Sequence, residues 1–329
     1  MPTRGGNVTA ASIGASTLRT FSVRLRTTAP VSARILSELA GELDRGGEVA
    51  DLLCSHSAVH SPLFGIQALA GVRMLMLSGK ALDLSQRFAT AHSAAMAGES
   101  DSAALLTWLA AKKAIVENAG DILAALDRTV QQHQPKTAGY LLRGLTMIGA
   151  PRVRLLELGA CAGLNLILDR YRWFGLGWEW GDTDSPVRLA AIGPQPPTLE
   201  IVDRAGCDLQ PRDPADPKHA MILHSFIPPE HDSLRWDLDD AIELATKVGV
   251  RVARSPAGRW LRENLVPPEE RDVYTVVWHS SFWAYLTEDE RNEIETTLTA
   301  AAGSMPLARV AYESTDFRSN PRLTVTIYS

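Results

Sequence analysis

The sequence predicts an α/β protein, and three observations carry that prediction. Residues 31–150 repeat their apolar positions at helical spacing, with no strand pattern between them. From residue 151 onward, short apolar runs alternate with helical segments, the signature of a mainly parallel sheet. Where the two halves meet lies Val153-Arg-Leu-Leu-Glu-Leu-Gly-Ala-Cys-Ala-Gly-Leu-Asn-Leu166, a buried run that ends in a glycine turn. The expected organisation is a disordered tail over 1–30, a helical domain over 31–150 and an α/β domain over 151–329.

The tail is set apart by composition. Arg4, Arg19, Arg24 and Arg26 precede the first acidic residue, Glu38, in a stretch rich in Ser and Thr. A transit peptide has that bias, but no apolar targeting segment accompanies it, so a plain tail is expected. In the helical half, Ile35, Leu36, Leu39 and Leu43 share a face, and Gly46-Gly47 closes the element. Ser61-Pro62 opens a helix through Leu63, Ile66, Leu69, Ala70 and Leu77 to Gly79. Further helices are predicted from Asp101 through Leu105, Leu109 and Val116, from Asp121 through Leu126, and from Lys136 to Ile148.

In the second half, Val153–Leu158 reads as a buried parallel strand, followed by a helix to about Tyr171. Residues 177–180 are a candidate second strand, and 182–217 look irregular. Asp232-Ser233 caps a helix that Gly249 stops. Residues 250–253 form a strand, Pro256 opens a short helix, and 273–278 is the cleanest later strand. Thr287-x-x-Glu290 is a capping box, and strands over 307–312 and 323–328 finish the sheet.

Composition narrows the function classes. The chain has 329 residues, 45% hydrophobic and 22% charged, as in a globular protein acting in water. No run of 18 apolar residues exists, so no membrane partner is expected. A net charge of −5 argues against a nucleic-acid partner. Three cysteines, Cys54, Cys161 and Cys207, form no disulfide framework, and a cytoplasmic location is expected.

The glycine turn is the first candidate site. Small residues at Gly159, Ala160, Ala162 and Gly163 let backbone amides approach a ligand, and Glu157 ends the strand before them. Such turns sit at the carboxyl edge of α/β sheets, where ligands bind. His279 follows the strand 273–278 with Ser280 and Ser281 and is a candidate base, the serines being candidate substrate donors. Glu179 and Asp182 lie about 20 residues after the turn, the spacing of a ribose-binding carboxylate. The aromatics Tyr171, Trp173, Phe174, Trp178 and Trp180 would form a wall or core. No metal is expected: Cys54-x-His56-x-x-x-His60 puts two histidines on one helix face and the cysteine elsewhere. A G-x-S-x-G elbow and a full G-x-G-x-x-G fingerprint are both absent.

Glu157-x-Gly159-x-x-x-Gly163 resembles the first motif of Rossmann-like S-adenosylmethionine methyltransferases, with Cys161 at the usual middle glycine. The longer run Leu155–Trp173, with Ser61-Pro-Leu-Phe64, Ser185-Pro-Val187 and Val277–Leu286, resembles bacterial domain-of-unknown-function family two-three-three-two. The resemblance implies a helical N-terminal part and a Rossmann-like, methyltransferase-type sheet. It also implies S-adenosylmethionine held by Glu157, Gly159, Ala160, Cys161, Gly163 and Asn165, with Glu179 or Asp182 on the ribose. His279, Ser280 and Asp182 would then serve a small-molecule substrate in secondary metabolism. Two segments depart from similar proteins: Gln131-Gln-His-Gln-Pro-Lys-Thr137, and Arg254-Ser255-Pro256, where Gly-Asp is usual. The second departure motivates an alternative without cofactor, an intramolecular alkyl substitution that closes an amine ring. A third expectation is a non-catalytic pseudo-enzyme subunit of a hetero-complex; the expected protein partner is a second copy in a homodimer or a companion subunit.

Overall fold

A computed structural model describes residues 9–98, 102–131, 134–314 and 319–328. Contacts divide the chain into two compact units, Met1–Gln132 with Met221–Arg235, and His133–Ala220 with Trp236–Ser329.

The first unit is helical: α1 (Ala10–Leu25), α2 (Pro30–Arg45), α3 (Glu48–Cys54), α4 (Phe64–Leu77), α5 (Leu82–Met96), α6 (Ser102–Glu117) and α7 (Ala119–Leu126). α1 lies inside the stretch expected as a tail. Thr9 Oγ1 caps it by accepting from Ser12 N, and Leu18 and Phe21 are buried. Their apolar spacing was outweighed in the sequence by a composition rich in Arg, Ser and Thr and free of acidic residues. The core joins Leu18, Ile35, Leu39, Phe64, Leu75 and Ile115. Glu42, buried on α2, is held by Lys112 at 2.7 Å and Arg45 at 2.9 Å.

The second unit begins earlier than expected. α8 (Ala138–Ile148) belongs to it, because this helix packs on the sheet: a Cβ on Gly144 would collide with Val310. The strands are β1 (Arg152–Leu158), β2 (Arg172–Gly175), β3 (Trp178–Gly181), β4 (Arg188–Ala190), β5 (Glu200–Asp208), β6 (Ala253–Arg254), β7 (Tyr274–Ser280), β8 (Leu307–Glu313) and β9 (Arg322–Tyr328). Six form a sheet in the order β6-β5-β1-β7-β8-β9, parallel except for β9 on β8. Between β5 and β6 run α9 (Pro217–Ser225) and α10 (Asp232–Val248). α10 begins where a cap was expected, although the Asp232 side chain lies outside the described part. α11 (Ala257–Asn264) and α12 (Glu288–Ala301) complete the unit, and Thr287 and Glu290 form the expected capping box.

Three expectations change. The helix after β1 is a 3-10 stretch, Leu164–Arg170, kinked at Ile167. Side chains take carbonyls that an α-helix would use: Tyr171 Oη donates to Leu164 O, Arg204 to Leu166 O and Trp173 Nε1 to Leu168 O. The strand near 177–180 joins β2 and β4 in a separate three-stranded sheet. The neighbour of β1 is instead β5, inside the stretch expected to be irregular. Among the described residues, no helix is long and apolar enough to cross a membrane.

Candidate functional site

β1, β7 and β8 run side by side and parallel, so their carboxyl ends share one edge. Glu157 pairs in register with Trp278, and alternation therefore turns His279 to the opposite face of the sheet. The two residues read as one site in the sequence thus belong to two side-chain clusters.

The first cluster centres on Glu157, which is 1% exposed. Its Oε1 accepts from Asn165 Nδ2 at 2.7 Å and Trp278 Nε1 at 3.1 Å. Neither its Oε2 nor Asn165 Oδ1 has a partner among the described residues. Burial pushes the carboxyl up to about 8, with the charge of Asp208 adding to the rise and the two donors opposing it. The glycine turn follows. Gly159 and Gly163 both have φ of 71°, and Cys161 has φ of 53°, so the turn is left-handed at three positions.

The turn's amides are engaged by the protein itself. Ala160 N donates to Cys207 O at 2.9 Å, Cys161 N to Asp208 Oδ2 at 3.0 Å and Gly163 N to Ala160 O at 2.7 Å. The space over the glycines is filled as well: a Cβ on Gly163 would strike Val250, and one on Gly159 would strike Phe282. Asp208, at the end of β5, holds Cys161 N with one oxygen and Gln210 N with the other. The amides of Ala160, Cys161 and Gly163 are thus committed within the protein, which leaves fewer donors for the amino-acid end of S-adenosylmethionine. Burial raises the thiols of Cys161 and Cys207, the latter to about 12, so neither is primed as a nucleophile.

The second cluster centres on His279, 2% exposed on β7. Its Nδ1 lies 2.7 Å from Glu313 Oε1. The register explains the meeting, since His279 pairs with Ala311 and Glu313 follows two residues later on the same face of β8. Phe282 N donates to both Glu313 oxygens, at 2.9 and 3.1 Å. A carboxylate so placed accepts, so Nδ1 is the donor of this pair, and in a neutral imidazole Nε2 then carries the lone pair. Nε2 has no partner among the described residues. Trp283 stacks on the imidazole at 5.1 Å between centroids, and Phe282 meets it edge-on at 6.0 Å. Ser281, at φ of 47°, makes the sharp turn after β7 that leads into both rings.

The other expected residues fall elsewhere. Ser280 is the last residue of β7, half-buried beside His279. Glu179 lies on β3 and pairs with Arg172, while Asp182 Oδ1 accepts from Asp184 N in the turn after β3. Neither stands at the end of β5, the position next to the glycine turn, where Asp208 stands instead. His56 caps a short 3-10 turn and pairs with Asp127 at 3.1 Å. Sequence reading missed Glu313, and it counted Asp208 among the ribose-binding candidates but preferred Glu179 and Asp182. Both are acids at the carboxyl end of a parallel strand, and that position was their signal.

A family model matches residues 15–329, nearly the whole chain. The chain belongs to DUF2332, a family described as an uncharacterized protein conserved in bacteria. No curated protein and no solved structure matches it. For this DUF2332 member, function rests on the chemistry of its own residues.

Proposed function

We propose that the protein is an enzyme that catalyses a base-assisted alkyl substitution on a small molecule, with His279 as the base. The observation that carries this reading is the His279–Glu313 pair, in which Nδ1 is committed and the buried Nε2 has no partner among the described residues. A buried imidazole oriented by a carboxylate is the arrangement that general-base catalysis uses. Nε2 would accept a proton from an amine or hydroxyl nucleophile. The nucleophile's lone pair then forms the new bond to carbon, and the leaving group departs with the electrons of the bond that breaks. Glu313 offsets the positive charge that develops on the imidazole, and Trp283 and Phe282 keep bulk water from it.

The strand order, with parallel strands and one antiparallel edge, supports a methyltransferase-like ancestry for the sheet. The paired amides of the glycine turn favour the form of the reaction in which nucleophile and leaving group belong to one substrate, closing a ring. Transfer from S-adenosylmethionine remains the alternative form that the resemblance suggests.

Purified protein incubated with a bacterial metabolite extract, followed by untargeted mass spectrometry, tests the proposal. Wild type should change specific metabolites that a His279→Gln variant leaves untouched. Loss of a leaving group identifies ring closure, and gain of one CH2 identifies methyl transfer. Identical profiles for wild type and variant would reject His279 as the base.

A further inference from the structure

We infer that the open edge of the main sheet pairs with the same edge of a second copy of this chain, β9 against β9 across a two-fold axis. All seven residues of β9 pair antiparallel with β8, from Tyr328 on Leu307 to Arg322 on Glu313, without a bulge. β9 ends the strand order, and among the described residues no strand pairs with its outer side. The backbone groups on that side are left to water or to another strand. Thr324 and Thr326 are exposed, and Ile327 is 54% exposed.

A sheet edge that stays single is usually blunted, by short length, by lysines or prolines, or by a bulge. The opposite edge follows that rule, because β6 has only two residues, Ala253 and Arg254. β9 carries none of these devices. Its sequence, Arg-Leu-Thr-Val-Thr-Ile-Tyr, holds no proline or glycine, and its one charge stands at the first position. Five of the seven residues are β-branched or aromatic, the composition that takes up a further strand most readily.

The order of residues in β9 favours its own copy as the partner. A two-fold axis normal to the sheet at Val325 sets the strands antiparallel and keeps each face of the sheet continuous. The residues directly opposite are then Arg322 and Tyr328, Leu323 and Ile327, Thr324 and Thr326, and Val325 with itself. Each pairing is complementary: a cation beside an aromatic ring, aliphatic side chains together, and hydroxyl beside hydroxyl. No like charges meet. Moving the axis to Thr324 or Thr326 leaves two residues of each strand unpaired and separates Arg322 from Tyr328. With the axis at Val325, two six-stranded sheets become one of twelve, and the exposed Ile327 packs on Leu323 across the junction.

Sedimentation velocity of the full chain over a range of concentrations tests this. Wild type should shift from monomer to dimer as concentration rises. Thr324→Lys combined with Thr326→Lys sets lysine against lysine at two places and should weaken the dimer about tenfold or more. Thr324→Glu combined with Thr326→Glu should do the same. An equal mixture of the two double variants should dimerise again, because lysine then faces glutamate at both places, and this recovery separates repulsion from misfolding. Thr324→Lys combined with Thr326→Glu should dimerise alone, since only the axis at Val325 sets those two positions opposite each other. A wild type that stays monomeric throughout would overturn the inference. A double-lysine variant that dimerises as tightly as wild type, or a mixture that stays monomeric, would overturn β9 as the junction. A monomeric Thr324→Lys, Thr326→Glu variant would overturn the register.

Discussion

At Glu157 one oxygen is held by Asn165 and Trp278 while the other has no donor among the described residues, in a place closed to water. A proton on Oε2 removes a buried charge and turns that orphan acceptor into a donor. The folded state therefore binds this proton more tightly than the unfolded chain does. The carboxyl titrates near about 8 in the fold against 4.5 ordinarily. Its contribution to stability is complete below about pH 4.5 and is lost as pH rises through about 8. Glu157→Gln, which mimics the protonated acid, should remove that fall, a difference of a few kcal/mol seen in denaturant melts between about pH 5 and about pH 9. Parallel wild-type and variant curves across that range would place the proton elsewhere. At His279, Glu313→Gln keeps a hydrogen-bond acceptor but removes the charge that offsets the imidazolium. Turnover on the substrate found by mass spectrometry should fall about a hundredfold or more, with KM little changed. A rise in KM alone would make Glu313 a binding group.

Among the elements, legibility followed how strongly a segment depends on its own residues. β1 and β7 are buried central strands, and their apolar runs announced them. The capping box at Thr287 and Glu290 is a purely local device and was equally readable. β5 was not, because Glu200, Asp203 and Arg204 interrupt it: only the two residues of β6 cover its outer side. The 3-10 turn after β1 also escaped, since Arg204, from another strand, takes one of its carbonyls. That loss mattered for the site, because the acid beside the glycine turn was sought at Glu179 or Asp182 and stands at Asp208. His279 was visible as a histidine ending a strand, but its partner depends on the register of β7 with β8, which no local pattern encodes. The close approach of α8 to β8 has a similar origin and can be tested. Gly144→Ala should cost about 1–3 kcal/mol, because the new methyl meets Val310. Val310→Ala in the same chain should recover part of that loss; strictly additive costs would mean the helix moves instead.

On the scale of the whole chain, the notable feature is a helix whose N-terminus is capped by a residue nearly two hundred positions away. α2 starts after Ala29, which has no side-chain cap to offer, and Pro30 follows at the first turn. The amide of Ser32 instead reaches Glu230 Oε1, and the Ser32 hydroxyl reaches Oε2. A carboxylate at this place satisfies an orphan donor and faces the positive end of the helix dipole. The segment Met221–Arg235 thus leaves the sequence neighbourhood of the sheet strands to serve the helical unit. Removing the carboxylate should destabilise that unit, and the effect should depend on Ser32. In a double-mutant cycle with Glu230→Ala and Ser32→Ala, the two changes should couple by about 1.5–3 kcal/mol, the range for hydrogen bonds to a charged group. Chemical denaturation of the full chain reads this coupling directly. Additive effects in the cycle would show that the long-range cap holds nothing in place.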